Sequence, residues 1–350
     1  MLARFAVLSL ALLAATAAAA TPAGWAPGDL AHRKGDERVQ KGIKHALITP
    51  PKRALAEFTP VPQRGAVRRV SLPPGKKLVA LTFDLCEQRF EVAGYQGGIV
   101  DILRRNGIKA TFFVGGKWML SHRERTQQLM ADPLFEVANH SWEHRNLRVL
   151  SGQTLVDEIG KAQSAYEQVR EELEAKQCAA GGRSLAHEQA PKRLALMRFP
   201  YGACSAAALD EVARQGLTPI QWDVSSGDPT TGQSARAIEQ QVLGHVRPGS
   251  IVLFHANGRG WHTEAALPAI IAALKAQGYE FATISELMAA GEPMLTATCY
   301  DSRPGDTDQW PRPALASQPG DVRTPAGVLS GLGWPWSGTP GGRATTTARR

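Results

Sequence analysis

Two histidines four residues apart, His140 and His144 in the run His-Ser-Trp-Glu-His, stand out first for their chemistry. On a helical turn this spacing aims both imidazoles at one point, as in a metal-ligand pair. The run differs from the His-Glu-x-x-His signature because Glu143 directly precedes the second histidine, so that motif's base role does not pass to Glu143. Two neutral imidazoles rarely hold a cation alone, and an anionic third ligand has to come from another element. Other polar residues stand where apolar runs stop. Asp84 follows Leu81-Thr82-Phe83, and Arg198 and Tyr201 bracket the end of the run to Phe199. Asp223 and Asp228 follow Gln221-Trp222, and His255 follows Ile251–Phe254. Five such coincidences in a row argue for an active site.

The elements that must position these groups alternate between short apolar runs and helical periods. Residues 78–83, 110–114, 135–138, 194–199, 219–224, 250–254 and 279–282 read as seven strands. Between them, Ile99, Ile102 and Leu103 mark a helix ended by Gly107, and Leu155, Ile159, Ala162, Tyr166, Val169 and Leu173 mark a long amphipathic one. Further helices are expected over 122–130, 206–214, 234–246 and 263–276. The alternation predicts an α/β fold with a parallel sheet, open or closed into a barrel. In such folds sites collect at the carboxyl ends of the strands, where the polar residues above fall.

Five segments now stand in order: Thr82-Phe83-Asp84, the His140/His144 pair, Arg198-Phe199-Pro200-Tyr201, Trp222-Asp223 and Leu253-Phe254-His255. Over about 76–290 this set resembles the polysaccharide deacetylases of the NodB-homology type, carbohydrate esterase family four. The resemblance implies a distorted, TIM-like (β/α) barrel with about seven strands, and metal-dependent removal of acetyl groups from N-acetylated sugars. It implies that Asp84 is the base, Arg198 its orienting partner and His255 the general acid. His140 and His144 would be metal ligands, the metal being zinc, cobalt or another divalent ion. It further implies that the Tyr201 backbone N–H stabilises the oxyanion and that Leu253 lines the pocket for the acetyl methyl. Trp142 and Trp222 lie in the motif segments and have the flat apolar faces that stack on sugars.

Two departures from the family pattern follow. The family carries a second Asp, a metal ligand, directly after the base, and here that position is Leu85. The next residues are Cys86 and Glu87, and the hard carboxylate of Glu87 is the expected replacement, because an exported thiol is open to oxidation. Alternatively Asp84 itself ligates the metal. Pro229 stands where the family carries Trp after the matching Asp228. Either Asp228, the residue that matches, or Asp223 orients His255. The apolar Leu85 also leaves two other functions open: a carbohydrate-binding relative without turnover, and a metal-independent hydrolase of small amides.

The chain has 350 residues, 43% of them hydrophobic and 21% charged, which is a globular balance and excludes a disordered chain. One apolar run approaches membrane length, at the extreme N-terminus, so a polytopic membrane protein is excluded. There a short basic head, the apolar stretch Phe5–Leu13 and the small residues Ala14–Ala20 have the layout of a secretory signal over 1–20. An exported, periplasmic or extracellular location follows, with no stable membrane span after cleavage. Residues 21–75 read as an extended leader, 76–295 as the folded domain, and 296–350, dense in Pro and Gly, as a disordered tail. Four cysteines allow three complete pairings, and one or two disulfides are expected in an oxidising compartment, tying down an insertion at 175–193. The formal net charge of +8 suits an acidic envelope polymer as partner. No nucleic-acid recognition motif occurs, and the expected partner is an N-acetylated glycan. Sequence alone leaves the oligomeric state undetermined.

Overall fold

The computed structural model describes residues 25–42, 48–53, 58–62, 65–179 and 190–309. The segment 1–20 expected to be a signal, much of the insertion and the chain beyond 309 lie outside the described residues. In chain order the strands are β1 (Gln40–Lys41), β2 (Ala66–Ser71), β3 (Leu78–Leu85), β4 (Glu91–Val92), β5 (Ala110–Val114) and β6 (Phe135–Asn139). They continue with β7 (Leu196–Met197), β8 (Thr218–Pro219), β9 (Val224–Ser225), β10 (Ile251–His255), β11 (Glu280–Phe281) and β12 (Glu292–Thr296). The helices used below are α2 (Gly97–Asn106), which follows a single-turn α1 at Pro27–Leu30, then α3 (Gly116–Ser121), α4 (Arg123–Met130) and α5 (Gly152–Ala179). After these come α6 (Ala206–Arg214), α7 (Ala235–His245), α8 (Thr263–Ala276) and α9 (Ile284–Ala289).

The central sheet runs β8-β7-β6-β5-β3-β10-β9, with β11 added along the start of β3. All its pairings are parallel, and helices cover its outer face, giving the α/β half-barrel that the alternation implies. β3 is buried along almost its whole length because both its faces are covered. Its period of two sends Val79, Leu81, Phe83 and Leu85 outward to the helix-facing core, and Ala80, Thr82 and Asp84 inward. Phe83 stacks between Phe112 and Phe254 on the neighbouring strands, with centroids 5.3 and 5.4 Å away. Gly107, at φ 62°, ends α2 in the left-handed conformation that glycine adopts without a Cβ penalty.

Three expected boundaries change. The strand expected over 219–224 is two short ones: β8 pairs with β7 and β9 with β10, at opposite edges of the sheet. Residues 220–223 cross the opening between those edges, so they cannot follow one ladder. There Ile220 bridges Val67 and the Gln221 amide donates to the Val67 carbonyl at 2.7 Å. The second change concerns the leader, whose end is structural: β2 pairs antiparallel with β12, and Val67 and Val70 are fully buried. The third is at the other end, where the segment expected to be disordered from 296 is packed as far as the description reaches. Cys299 forms a disulfide with Cys204, and Thr307 is buried with its hydroxyl donating to the Gly202 carbonyl.

That disulfide joins residues 95 apart, a long loop whose closure restricts the unfolded chain. Reduction is expected to lower stability by about 2–4 kcal/mol. Thermal melts with and without reductant check this, and an unchanged Tm would contradict it. No helix among the described residues is long and apolar enough to cross a membrane.

Candidate active site

The parallel register assembles the site. Asp84 at the end of β3 is the direct partner of His255 at the end of β10, and of Phe113 on β5. Next along, Asn139 ends β6 opposite Val114, and the Arg198 amide donates to the Asn139 carbonyl, 2.9 Å. His140 and Arg198 thus leave adjacent strand ends side by side.

Asp84 is buried, and Arg198 donates from Nη1 to its Oδ1 at 2.7 Å. The guanidinium is itself fully buried, 3.9 Å above the Phe113 ring and 5.4 Å from the Trp222 ring, and its Nη2 donates to the Gln221 carbonyl at 3.4 Å. Burial pushes the Asp84 carboxyl up. The charge of the Arg198 guanidinium is foremost among the neighbouring effects that more than offset it, and the group is held below its ordinary range. Oδ2 remains, 3.4 Å from His140 Nε2.

The His140/His144 segment is a loop, not the helical turn expected from its spacing. Ser141 and His144 have φ of 62° and 57°, in the left-handed region that disfavours side chains, and neither residue is in a helix. Two hydrogen bonds hold the loop: the Ser141 amide donates to Asn139 Oδ1 and the Gly116 amide to the Ser141 carbonyl. The rings nevertheless converge, with centroids 5.0 Å apart. His140 Nδ1 lies 2.9 Å from the Arg198 carbonyl, a contact that requires an N–H there and leaves the lone pair on Nε2. Burial lowers the pKa of both imidazoles, that of His144 strongly, so both are neutral and able to ligate.

Glu87 does not reach them. Its fully buried carboxylate accepts from Ser121 Oγ (2.8 Å) and the Ala93 amide (3.0 Å) and pairs with Lys117 (3.1 Å), on the other side of the strand end. Burial raises its pKa, and Lys117 offsets only part of that. The group that does converge is Cys86 with His140 and His144, whose ligand atoms lie within 4.8 Å of one another. Burial pushes the Cys86 thiol up. Leu85, on the outward face of β3, packs into the core.

His255 is paired with Asp228, not Asp223. Its Nδ1 lies 2.8 Å from Asp228 Oδ1, while Asp228 Oδ2 accepts from the His255 amide and from Thr263 Oγ1, each at 2.7 Å. Burial alone would lower the imidazole pKa, but the Asp228 carboxylate outweighs it, and the net direction is up. Asp223 instead accepts from Ser250 Oγ and the Ile251 amide, at the opposite end of β10.

Asp84, His144, Tyr201, Trp222, Leu253 and His255 line one cleft. Tyr201, at φ 61°, packs edge-on against the His144 ring, with centroids 4.6 Å apart. The next residue must be glycine, because a Cβ on Gly202 would lie 2.7 Å from the Trp222 ring. Asp301 also lines the cleft and was missed by sequence reasoning: it accepts from Trp222 Nε1 at 3.0 Å and is carried there by the disulfide-bound segment after β12. No motif marks Asp301.

A parallel half-barrel whose strand ends gather a buried acid, two neutral imidazoles and a carboxylate-bound histidine defines the class. Residues 71–220 match the family described as Polysaccharide deacetylase, and over this stretch the chain is similar to that family. It is 31% identical over 224 residues to a peptidoglycan-N-acetylglucosamine deacetylase of Listeria monocytogenes, covering 63% of this chain and 41% of the relative. The chain thus spans about two fifths of the length of that relative. It is 29% identical over 195 residues to a chitooligosaccharide deacetylase of Azorhizobium caulinodans, covering 52% of this chain and 82% of the relative. Among solved structures it resembles a CE4 family pseudoenzyme from Bacillus anthracis, with TM-score 0.52, 26% identity, and 65% and 69% of the two chains covered.

Proposed function

We propose that the protein is an exported, metal-dependent deacetylase that hydrolyses the acetamide C–N bond of an N-acetylated glycan. The observation that carries this reading is the convergence, in one cleft, of Asp84 held by Arg198, His255 held by Asp228, and the neutral pair His140 and His144. The buried, unpartnered Nε2 of His140 and Nδ1 of His144 fit a bound cation, since such nitrogens otherwise lose hydrogen bonds without return. A divalent cation such as zinc or cobalt held by this pair supplies Lewis-acid polarisation and makes attack by water feasible near neutral pH.

The chain's own residues account for the proton movements. Asp84 Oδ2 takes a proton from the attacking water while Arg198 occupies Oδ1 and fixes the carboxylate's orientation. The Tyr201 backbone N–H stabilises the developing oxyanion. As the carbon–nitrogen bond breaks, protonated His255 gives its Nε2 proton to the departing amine, and Asp228 holds Nδ1 so that the other nitrogen faces the cleft. Acetate and a free amino sugar are the products. Leu253 and Trp222 wall the space for the acetyl methyl, and Trp222 is fixed by Asp301.

The substrate class follows from the relatives, and the net charge of +8 suits the acidic polymers of a cell envelope. The N-terminal signal layout supports a periplasmic or extracellular location. Full-length protein is expected to release acetate from N-acetylglucosamine polymers, to lose activity on chelation and to regain it with Zn²⁺ or Co²⁺. Folded, metal-loaded protein that releases nothing from a broad glycan panel would overturn the reading. It would favour instead a carbohydrate-binding role, to which Leu85 in the family's ligand position points.

A further inference from the structure

The family's carboxylate ligand position is taken by Leu85, whose side chain packs into the helix-facing core, and Glu87 is committed to Lys117, Ser121 and Ala93. The side chain between them, Cys86, falls on the same side of the chain as Asp84. Its Sγ lies with the two imidazoles in a group whose ligand atoms are all within 4.8 Å. The thiol is buried, and Asn257 Nδ2 donates to both the Cys86 carbonyl (2.9 Å) and Sγ (3.1 Å). His140 is oriented from behind by the Arg198 carbonyl, as metal-bound histidines are by their outer partners. His140 Nε2 and His144 Nδ1 are buried with no hydrogen-bond partner.

We propose that Cys86 is the third protein ligand, so that this chain holds its cation through one thiolate and two imidazoles. Binding releases the thiol proton to solvent: Cys86–SH and M²⁺ become Cys86–S–M⁺ and H⁺. A sulfur–nitrogen–nitrogen donor set suits zinc and cobalt and discriminates against magnesium, calcium and manganese, which need oxygen donors. It also leaves Asp84 outside the ligand set, with Oδ2 available as the base. The inference rests on the reading that the imidazole pair holds a cation, and its test separates the two.

Full-length protein, stripped with chelator and titrated with Co²⁺, is read by absorbance and by metal-to-protein ratio. Wild type is expected to bind one Co²⁺ with an intense near-ultraviolet thiolate-to-cobalt charge-transfer band. Cys86→Asp is expected to bind Co²⁺ without that band and to gain affinity for Mn²⁺ relative to Zn²⁺. Cys86→Ser is expected to lose zinc affinity at least about 100-fold, since even outer-shell changes cost 10–100-fold. Circular dichroism checks that each variant folds, and His140→Ala marks the signal of a broken site. Stoichiometric Co²⁺ in wild type without the charge-transfer band overturns the thiolate ligand and leaves the imidazole pair standing. Failure of folded wild type to bind Co²⁺ or Zn²⁺ overturns both.

Discussion

Asp84→Asn is expected to lower the rate of acetate release by about 10²–10⁴-fold, the usual contribution of a positioned general base. The isosteric amide keeps an oxygen for Arg198 Nη1, now at 2.7 Å from Oδ1, but cannot accept a proton from water. The substitution also removes the counter-charge of a fully buried guanidinium. Breaking a buried ion pair costs about 3–5 kcal/mol when one charge is left unpaired, so a lower Tm is expected as well. Stacking of Arg198 on Phe113 and its bond to the Gln221 carbonyl soften that loss. Lost activity must therefore be separated from lost fold. Circular dichroism and Co²⁺ titration should show a folded protein that still binds metal, because none of the Cys86, His140 and His144 ligand atoms is altered. A variant that keeps activity within tenfold of wild type would remove Asp84 from the role of base.

The second large effect concerns the acid. His255→Ala is expected to cost a similar 10²–10⁴-fold. The more informative variant is Asp228→Asn. His255 works only when protonated, and its pKa is raised above the ordinary 6.5 because the Asp228 carboxylate outweighs burial. Activity should thus persist above that ordinary pKa and fall as pH rises through the raised one. Asp228→Asn removes the anion and leaves burial to depress the imidazole, so the alkaline limb should shift to lower pH. The same linkage applies to stability: the His255–Asp228 contribution is full below the unfolded histidine pKa and is lost as pH rises through the folded one. Rate profiles of wild type and Asp228→Asn check the shift. An unmoved alkaline limb would assign it to another group.

The motifs were legible because each sits beside a strong local signal. Apolar runs at 78–83, 110–114, 135–138 and 250–254 mark β3, β5, β6 and β10 to within a residue or two, and the chemistry stands at their ends. The choice between Cys86 and Glu87 was legible in principle as well. In a strand, residues 84 and 86 share one face and 85 and 87 the other. Carrying the period of β3 two residues past its end separates Cys86, on the side of Asp84, from Glu87.

Other features depend on contacts between distant parts of the chain. Convergence of His140 and His144 through a loop with left-handed residues, rather than a helical turn, depends on Asn139 and Gly116 holding that loop. The split of residues 219–224 between two sheet edges depends on where the half-barrel opens. The Cys204–Cys299 pairing and the arrival of Asp301 at Trp222 depend on where the chain goes after β12. By itself, then, the sequence determined the residue types, their order and the strand ends that bear them, because these follow from local periodicity. Which carboxylate serves His255, which side chain meets the two imidazoles and which late segment closes the cleft were decided by the tertiary structure. Each is a distance between residues far apart in the chain or on opposite faces of one strand, and only the packed register of neighbouring strands sets such distances.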